Sequence, residues 1–545
     1  MEQLTHRQRL LRTLRFQPVD RVPDFEFGAW PHTLRRWIQE GMQIQRVAYD
    51  GPLEEYFGTD DTEFGPGLGI HVVALPDFEE AVLEEHGRYQ ILLDSTGAIC
   101  EQIKPQPGEY GGSMPRFLRY AIETRADWER LRDERLDPDR PDRIPAHIDA
   151  LARRLRQADY PITVFMGGLY CYIRNWMGVE RLSLAIYDDR PWIEEMMEHL
   201  TRLTLTVLGK LAGKGLHIDQ GTWWEDMCYN HGALISPRLF ADMMLPRYRR
   251  ITEFMRREFD TEFHMVDCDG NIHELVPLWL EAGINVMFPN EAAHTDPYRI
   301  DRELGRRIPS RGSFDKLALI AGPAAIDAEF ARLRPLLDRG GFIPHTDHRV
   351  PPDVSFANYL YYRRRKCEFI GKPWREPGIQ HRPGHLTGWR LLGPLDTQSN
   401  PDESTLRSWD AQNDSMPTGP GGSGVRWQSF QSAALSGYVD LASLWHGTQD
   451  GVAYAACSLH SPAARDGWLE MGSDGAMQVW LNGEEVWSKE ARREAQPCQD
   501  LAPVHLRPGH NTILLKVGQG TEKWGFFFRV TDEQGQIWPE LQAQI

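Results

Sequence analysis

Short apolar runs alternate with longer amphipathic segments from the start of the chain to about residue 375. ITVFM (162–166), GLHID (215–219), TEFHMVD (261–267), GINVMF (283–288), RIPSRGSF (307–314) and GGFIPHTD (340–347) have the length and composition of strands. Between most of them lie helical periods, such as 190–213 and 236–259, the latter with Ser236 placed as N-cap and Pro237 at the first helical position. Strand and helix in strict turn predict parallel pairing with helices outside. Six or more such units within about 375 residues fit a (β/α)8 TIM barrel with insertions better than an open doubly wound sheet, and no Gly-rich phosphate turn follows the first strand.

Residues 376–400 are rich in Gly and Pro, carry no period and read as a linker. Beyond them the pattern becomes all-β. Met477, Val479 and Leu481 alternate onto one face before Asn482-Gly483, a strong hairpin signal, and 508–532 reads as another strand pair. Ser, Gly, Gln and Asn over 408–436 mark long loops. The expected organisation is thus a barrel over 1–375, a linker over 376–400 and a jelly-roll β-sandwich over 401–545.

A chain of 545 residues exceeds one compact core, which agrees with two domains. Hydrophobic content of 41% and charged content of 26% are those of an ordinary globular protein. The net charge of -17 argues against nucleic acid as the main partner. Seven scattered cysteines make no disulfide framework and point to a reducing, cytoplasmic setting. The opening MEQLTHRQRLLRTLRF is an amphipathic basic helix without the apolar run of a secretory signal, and no segment approaches the length needed to span a membrane.

In a parallel barrel, chemistry sits at the C-terminal ends of the strands. Acids and imidazoles gather there: Glu225 and Asp226 after GLHID, Asp267 and Asp269 after TEFHMV, Glu291 after GINVMFP, Asp315 and Lys316 after RIPSRGSF, and His345, Asp347 and His348 after GGFIP. Strand parity sorts HMVDCDGNI. Asp267 and Asp269 share one side of the strand, His264 and Cys268 the other. The Asp pair is the candidate for proton transfer or, with His348, for ligating a hard metal. A His264/Cys268 zinc pair is the alternative and requires a bend in the backbone. Glu225 and Asp226 are candidate acid/base groups. Glu26, Trp30 and Glu291 are candidate substrate contacts, and Tyr170 with Arg174 in GGLYCYIRNWMG could orient an anionic group.

The segments RQRLLRTLRFQPVDRVP, GVERLSLAIYDDRPWIEEMM, WEDMCYNHGALISPRLFADMMLPRY, DCDGNIHELVPLWLEAGINVMFP and GGFIPHTDHRVPPDVSFANYLYY occur in the order found in the uroporphyrinogen decarboxylase superfamily, which the chain resembles over about residues 4–370. The resemblance implies a (β/α)8 barrel, homodimerisation, and one of two chemistries: cofactor-free decarboxylation, or zinc-dependent methyl transfer between corrinoid proteins and thiols or folates. The chain departs from both patterns. RVPDFEFGAWPHTLRRW lacks the Arg-rich, Gln- and Gly-containing loop that binds substrate carboxylates, with only Arg35 and Arg36 nearby. The His-x-Cys-Gly of the methyltransferases stands here as Asp267-Cys268-Asp269-Gly270, and their later Cys falls near Asp347-His348.

The leading expectation is a metal-assisted, methyltransferase-like enzyme. Asp267, Asp269 and His348 would hold zinc or another divalent ion, and the substrate would be small, with a corrinoid protein as partner. The alternatives are a cofactor-independent decarboxylase or lyase of a carboxylated substrate, and a non-catalytic carbohydrate-binding or scaffold protein. The last draws on the C-terminal region, whose MGSDGAMQVWLNGEEVW and LRPGHNTILLKVGQGTEKWGFFFRV resemble jelly-roll modules appended to glycoside-active enzymes. There Trp468, Trp480, Trp487 and Trp524 are candidates for stacking on sugars, with burial in the core as the competing role.

Overall fold

The computed structural model describes residues 3–44, 53–60, 67–104, 115–379, 382–396, 427–445, 448, 451–490, 493, 495–520 and 523–544. Two compact units result. The first comprises Met1–Met42, Thr59–Ile148 and Ala158–Arg375; the second comprises Gln43–Gly58, Asp149–Gln157 and Glu376–Ile545.

The first unit is built on a six-stranded parallel sheet. Its order is Phe342–Thr346, Ser310–Phe314, Val286–Phe288, Phe263–Asp267, Gln220–Trp224 and Thr163–Phe165. Five of the six expected strands fall inside their predicted segments. The sixth does not: 215–219 stays outside the ladder and the strand begins at Gln220. Beyond the outer strand, Ala29 forms one parallel bridge to Val350. The sheet therefore does not close into the expected eight-stranded barrel among the described residues. The segment before Ala29 is held by side chains instead of a ladder, as described below.

Inward-facing Phe263, Met265, Val286, Phe288 and Ile343 form one core with Phe25 and with Leu10 and Leu14 of the N-terminal helix His6–Leu14. That helix starts at a capping box in which Thr5 and Gln8 satisfy each other's backbone N–H groups. Ser236 caps its helix at the expected place, with Pro237 first inside. No helix among the described residues is long and apolar enough to cross a membrane. A separate antiparallel sheet, Ala81–His86 through Arg116–Arg119, is inserted before the parallel one.

A buried ion network anchors the segment from Arg21 to Glu26. Arg363 donates to both oxygens of Asp24, at 2.9 and 2.8 Å, and to Glu26 at 2.6 Å. Lys366 reaches Glu26 at 2.7 Å, Lys372 reaches Asp24 at 2.7 Å, and Arg21 pairs with Asp60 at 2.6 Å. Burial alone would raise the Asp24 carboxyl, but Arg363 and Lys366 hold it well below the ordinary carboxylate range.

The second unit consists of two antiparallel sheets around one apolar core. One is seven-stranded and contains Gly388–Asp396, a strand where a linker was expected. The other has four strands. Asn482 and Gly483 both take positive φ, 55° and 85°, as a type I′ hairpin turn requires. Of the loops expected over 408–436, residues 408–426 lie outside the described residues, and Gln428–Gln431 is a strand. Trp468, Trp480 and Trp524 are buried, so these three are packing residues and offer no face to a sugar. Trp480 sits on the outer side of its sheet with Leu392, Tyr454 and Leu514, while Trp524 donates its Nε1–H to the Val517 carbonyl at 3.1 Å. Trp487 is half-buried against the core.

Candidate active site

The register of the parallel sheet sets Trp224, Asp267 and Phe288 in one row at the C-terminal ends of their strands. Asp267 and Asp269 share the inward side, as parity requires, and Cys268 turns outward. Asp226, from the loop after Trp224, joins them: one ligand atom from each of Asp226, Asp267 and Asp269 lies within 4.8 Å of the others. Backbone and ring donors fix the arrangement. The Asp269 amide donates to Asp226 Oδ1 at 3.3 Å and Trp224 Nε1 donates to Oδ2 at 3.1 Å. Gly270 then turns with φ 82°, where a Cβ would stand 2.8 Å from the Tyr229 backbone, so only glycine fits. Its amide donates to Glu291 Oε2 at 2.8 Å.

Negative charge dominates this mouth. Burial, then Asp226 and Glu291, push the Asp269 carboxyl up to about 7, against the pull of Lys316. Lys316 bridges Glu291 at 3.3 Å and Asp347 at 3.4 Å, and these two acids keep its ammonium above the usual range despite burial. Burial also raises the Asp347 carboxyl. His348 Nε2 lies 3.5 Å from Asp269 Oδ2, its ring stacked on Trp30 at 5.8 Å, and burial lowers its basicity.

Several expected roles change. His348 adjoins the carboxylates but is not one of the three that converge; Asp226, expected as an acid/base group, takes that place. Glu225 is fully buried and accepts hydrogen bonds from the amides of Leu169, Tyr170 (3.0 Å) and Cys171 (3.1 Å) and from the Tyr248 hydroxyl. It clamps the first turn of helix Tyr170–Met177 to the tip of the neighbouring strand, and burial raises its carboxyl to about 7. Glu26 is committed to Arg363, Lys366 and Tyr362 and is not a substrate contact. Tyr170 has no exposed surface, and burial lifts its phenol to about 12, so it faces protein and not an anion. Arg174 donates to the Asp226 carbonyl at 2.6 Å and lies over the Trp224 ring, positioning the loop that carries Asp226. Trp30 stands at the mouth against His348, and Glu291 against the Gly270 amide.

Alternation keeps His264 and Cys268 on one side of the strand, away from the aspartates, but four extended residues separate them by roughly 13 Å, too far to share an ion. His264 is buried behind the sheet near Trp223, where burial depresses it to about 3, and burial pushes the Cys268 thiol well up. Sequence reasoning places His345 at a strand end but gives it no role. It faces inward between Phe27 and Phe288, with Nδ1 on the Thr346 carbonyl at 2.7 Å. Burial, then Arg311, hold it neutral well below the ordinary imidazole range. Its signal was parity: in FIPHT, His345 shares the inward side with Ile343.

The donor set can be tested against a metal ion. Three converging carboxylates suit a hard, oxygen-seeking divalent cation, and among the described residues no cysteine joins them, so a thiolate-bound zinc does not fit. Because Glu225 receives only donors, Glu225→Gln sets an amide N–H against backbone N–H groups. It is expected to cost about 2–4 kcal/mol, read as a lower denaturation midpoint. An unchanged midpoint would contradict the clamp.

Residues 106–362 match the family model described as uroporphyrinogen decarboxylase (URO-D). This part of the chain, just under half of it, is similar to the uroporphyrinogen decarboxylase family. A curated uroporphyrinogen decarboxylase from Pelobacter propionicus is 27% identical over 245 residues, covering 43% of this chain and 67% of that protein. Among solved structures, a methyltransferase from Methanosarcina mazei covers 67% of this chain and 99% of its own, at 14% identity and a TM-score of 0.44. A glycosyl hydrolase family 2 member from Bacteroides cellulosilyticus covers 27% of this chain and 20% of its own, at 13% identity and a TM-score of 0.19.

Proposed function

We propose that the first unit is a metal-assisted, methyltransferase-like enzyme of this superfamily, acting on a small substrate with a corrinoid protein as methyl carrier. The observation that carries the reading is the convergence of Asp226, Asp267 and Asp269 in a mouth whose negative charge Lys316 and Arg174 only partly offset. These three residues would hold a hard divalent cation. When bound, such an ion supplies Lewis-acid polarisation of a substrate atom or lowers the pKa of a bound thiol or water. The chain's own groups do the rest. His348, neutral and 3.5 Å from Asp269, accepts a proton released at the site, while Trp30 stacks on its ring and fixes it. Lys316 holds Glu291 and Asp347 apart from the trio, and Glu225 and Arg174 position the walls.

One observation favours a second reading, metal-free decarboxylation. An Asp269 carboxyl near 7 is half protonated at neutral pH and can return a proton to a carbanion. Demethylation of free methylcobalamin, followed by its visible spectrum with a thiol acceptor, separates the two. The first reading predicts turnover that depends on added Mg2+, Mn2+ or Zn2+ and stops with chelator. Absence of methyl transfer under all three ions, with CO2 released from a carboxylated substrate in the presence of chelator, would replace it by the second.

A further inference from the structure

We propose a second metal site, on the second unit, in which His460 and His510 chelate a borderline transition ion such as Ni2+, Cu2+ or Zn2+. The strands Gly451–Ser461 and Gly509–Gly518 pair antiparallel in unbroken register over ten residue pairs, and His460 stands directly opposite His510. Cys457, Leu459, Ile513 and Leu515 of these strands belong to the core. Alternation therefore places Ser458, His460, His510 and Thr512 together on the outer face. Both imidazoles are half-buried, neither enclosed nor waving in solvent. On its other side His460 is flanked by the backbone of Gln542, so His460 lies between two strands, while His510 is the second residue of its own strand.

Two features make the pair more than neighbours. Ser458 Oγ lies 3.1 Å from Nδ1 of His510, the diagonal cross-strand contact that orients the ring and leaves Nε2 for a ligand. This oxygen partner on the second nitrogen is the arrangement that metal-binding histidines use. The spacing also fits. With each nitrogen about 2.0–2.1 Å from a shared ion, each ring centre lies roughly 3.2 Å from it. At right-angled to tetrahedral nitrogen–metal–nitrogen angles the two centres are then about 4.5–5.2 Å apart. The observed separation is 5.3 Å, with the rings at 71° to one another. A pair of imidazoles favours the nitrogen-seeking ions over Mg2+ or Mn2+, the reverse of the preference expected of the aspartate trio. An ion here would staple two long strands, joined through the 47 intervening residues Pro462 to Pro508, and stabilise the folded unit by mass action.

The test is calorimetric titration of the full chain with Ni2+, in wild type, His460→Gln, His510→Gln, the double variant and D267N/D269N. The proposal expects one equivalent of Ni2+ in wild type and in D267N/D269N, bound at least tenfold more weakly in each His variant, and a Ni2+-induced rise in melting temperature that His460→Gln abolishes. Gln preserves size and polarity at these half-buried positions, and the melting curve without metal verifies folding. Equal Ni2+ binding by wild type and the double His variant would overturn the proposal, as would loss of the Ni2+ equivalent in D267N/D269N alone.

Discussion

D267N/D269N is expected to reduce turnover by at least about 10³-fold while making the protein more stable at pH 8. The loss follows from the position of the pair. Removing one preorganised electrostatic group from a site typically costs 10²–10³ in rate, and here two of three converging carboxylates are removed. The gain in stability follows from the same crowding. The Asp269 carboxyl stands near 7 in the folded protein and near 3.8 when unfolded. For an acid raised in this way, stability is intact below the unfolded value and declines as pH rises through the folded one, because ionisation in the crowded mouth is opposed. The full shift would correspond to about 4 kcal/mol, but the side chain is about a third exposed and solvent screens it, so about 1–2 kcal/mol is expected. Denaturant midpoints at pH 5 and pH 8 read it directly: the variant gains at pH 8 and much less at pH 5. Lower stability at both would mean the aspartates serve the fold and not the site.

Arg363→Leu is expected to be the most destabilising single change in the first unit. It leaves Asp24 and Glu26 buried without the guanidinium that donates to both, and breaking a buried pair from one side costs about 3–5 kcal/mol. Lys366 and Lys372 remain, which places the loss near the lower end. Arg363→Lys recovers only part, since an ammonium cannot grip both Asp24 oxygens at once. Calorimetry would show the first unit's transition lowered with the second unit's unmoved. A transition unchanged in temperature would contradict the anchoring role given to this network.

The site's central residues were legible in the sequence because alternation is local. HMVDCDG separates the aspartates from His264 and Cys268 by parity alone, and the structure keeps that division. What required the fold is what depends on distant residues. Glu26 resembles a mouth acid until Arg363, more than 330 positions later, claims it. Glu225 and Asp226 are adjacent in sequence yet one is sealed under a helix start while the other joins the trio, a difference set by the loop after Trp224. The strand at 220–224 was missed because Gln220 and Gly221 read as loop. Gly221 is needed there: a Cβ would lie 2.6 Å from the His264 ring on the next strand. In the second unit, Trp480 and Trp524 suit sugar or core equally well by composition, and only packing decides for the core.

The most direct test of the account is Mn2+ binding to the full chain, followed by electron paramagnetic resonance, in wild type, D267N/D269N and His348→Ala. Mn2+ is a hard ion that the trio should accept and that the His460/His510 pair should not. The account predicts one equivalent in wild type, affinity at least tenfold lower in D267N/D269N, and near-normal binding in His348→Ala, whose ring stands beside the carboxylates and outside their convergence. Wild type that binds no Mn2+ at millimolar concentration, or binds it as well as D267N/D269N does, would contradict it.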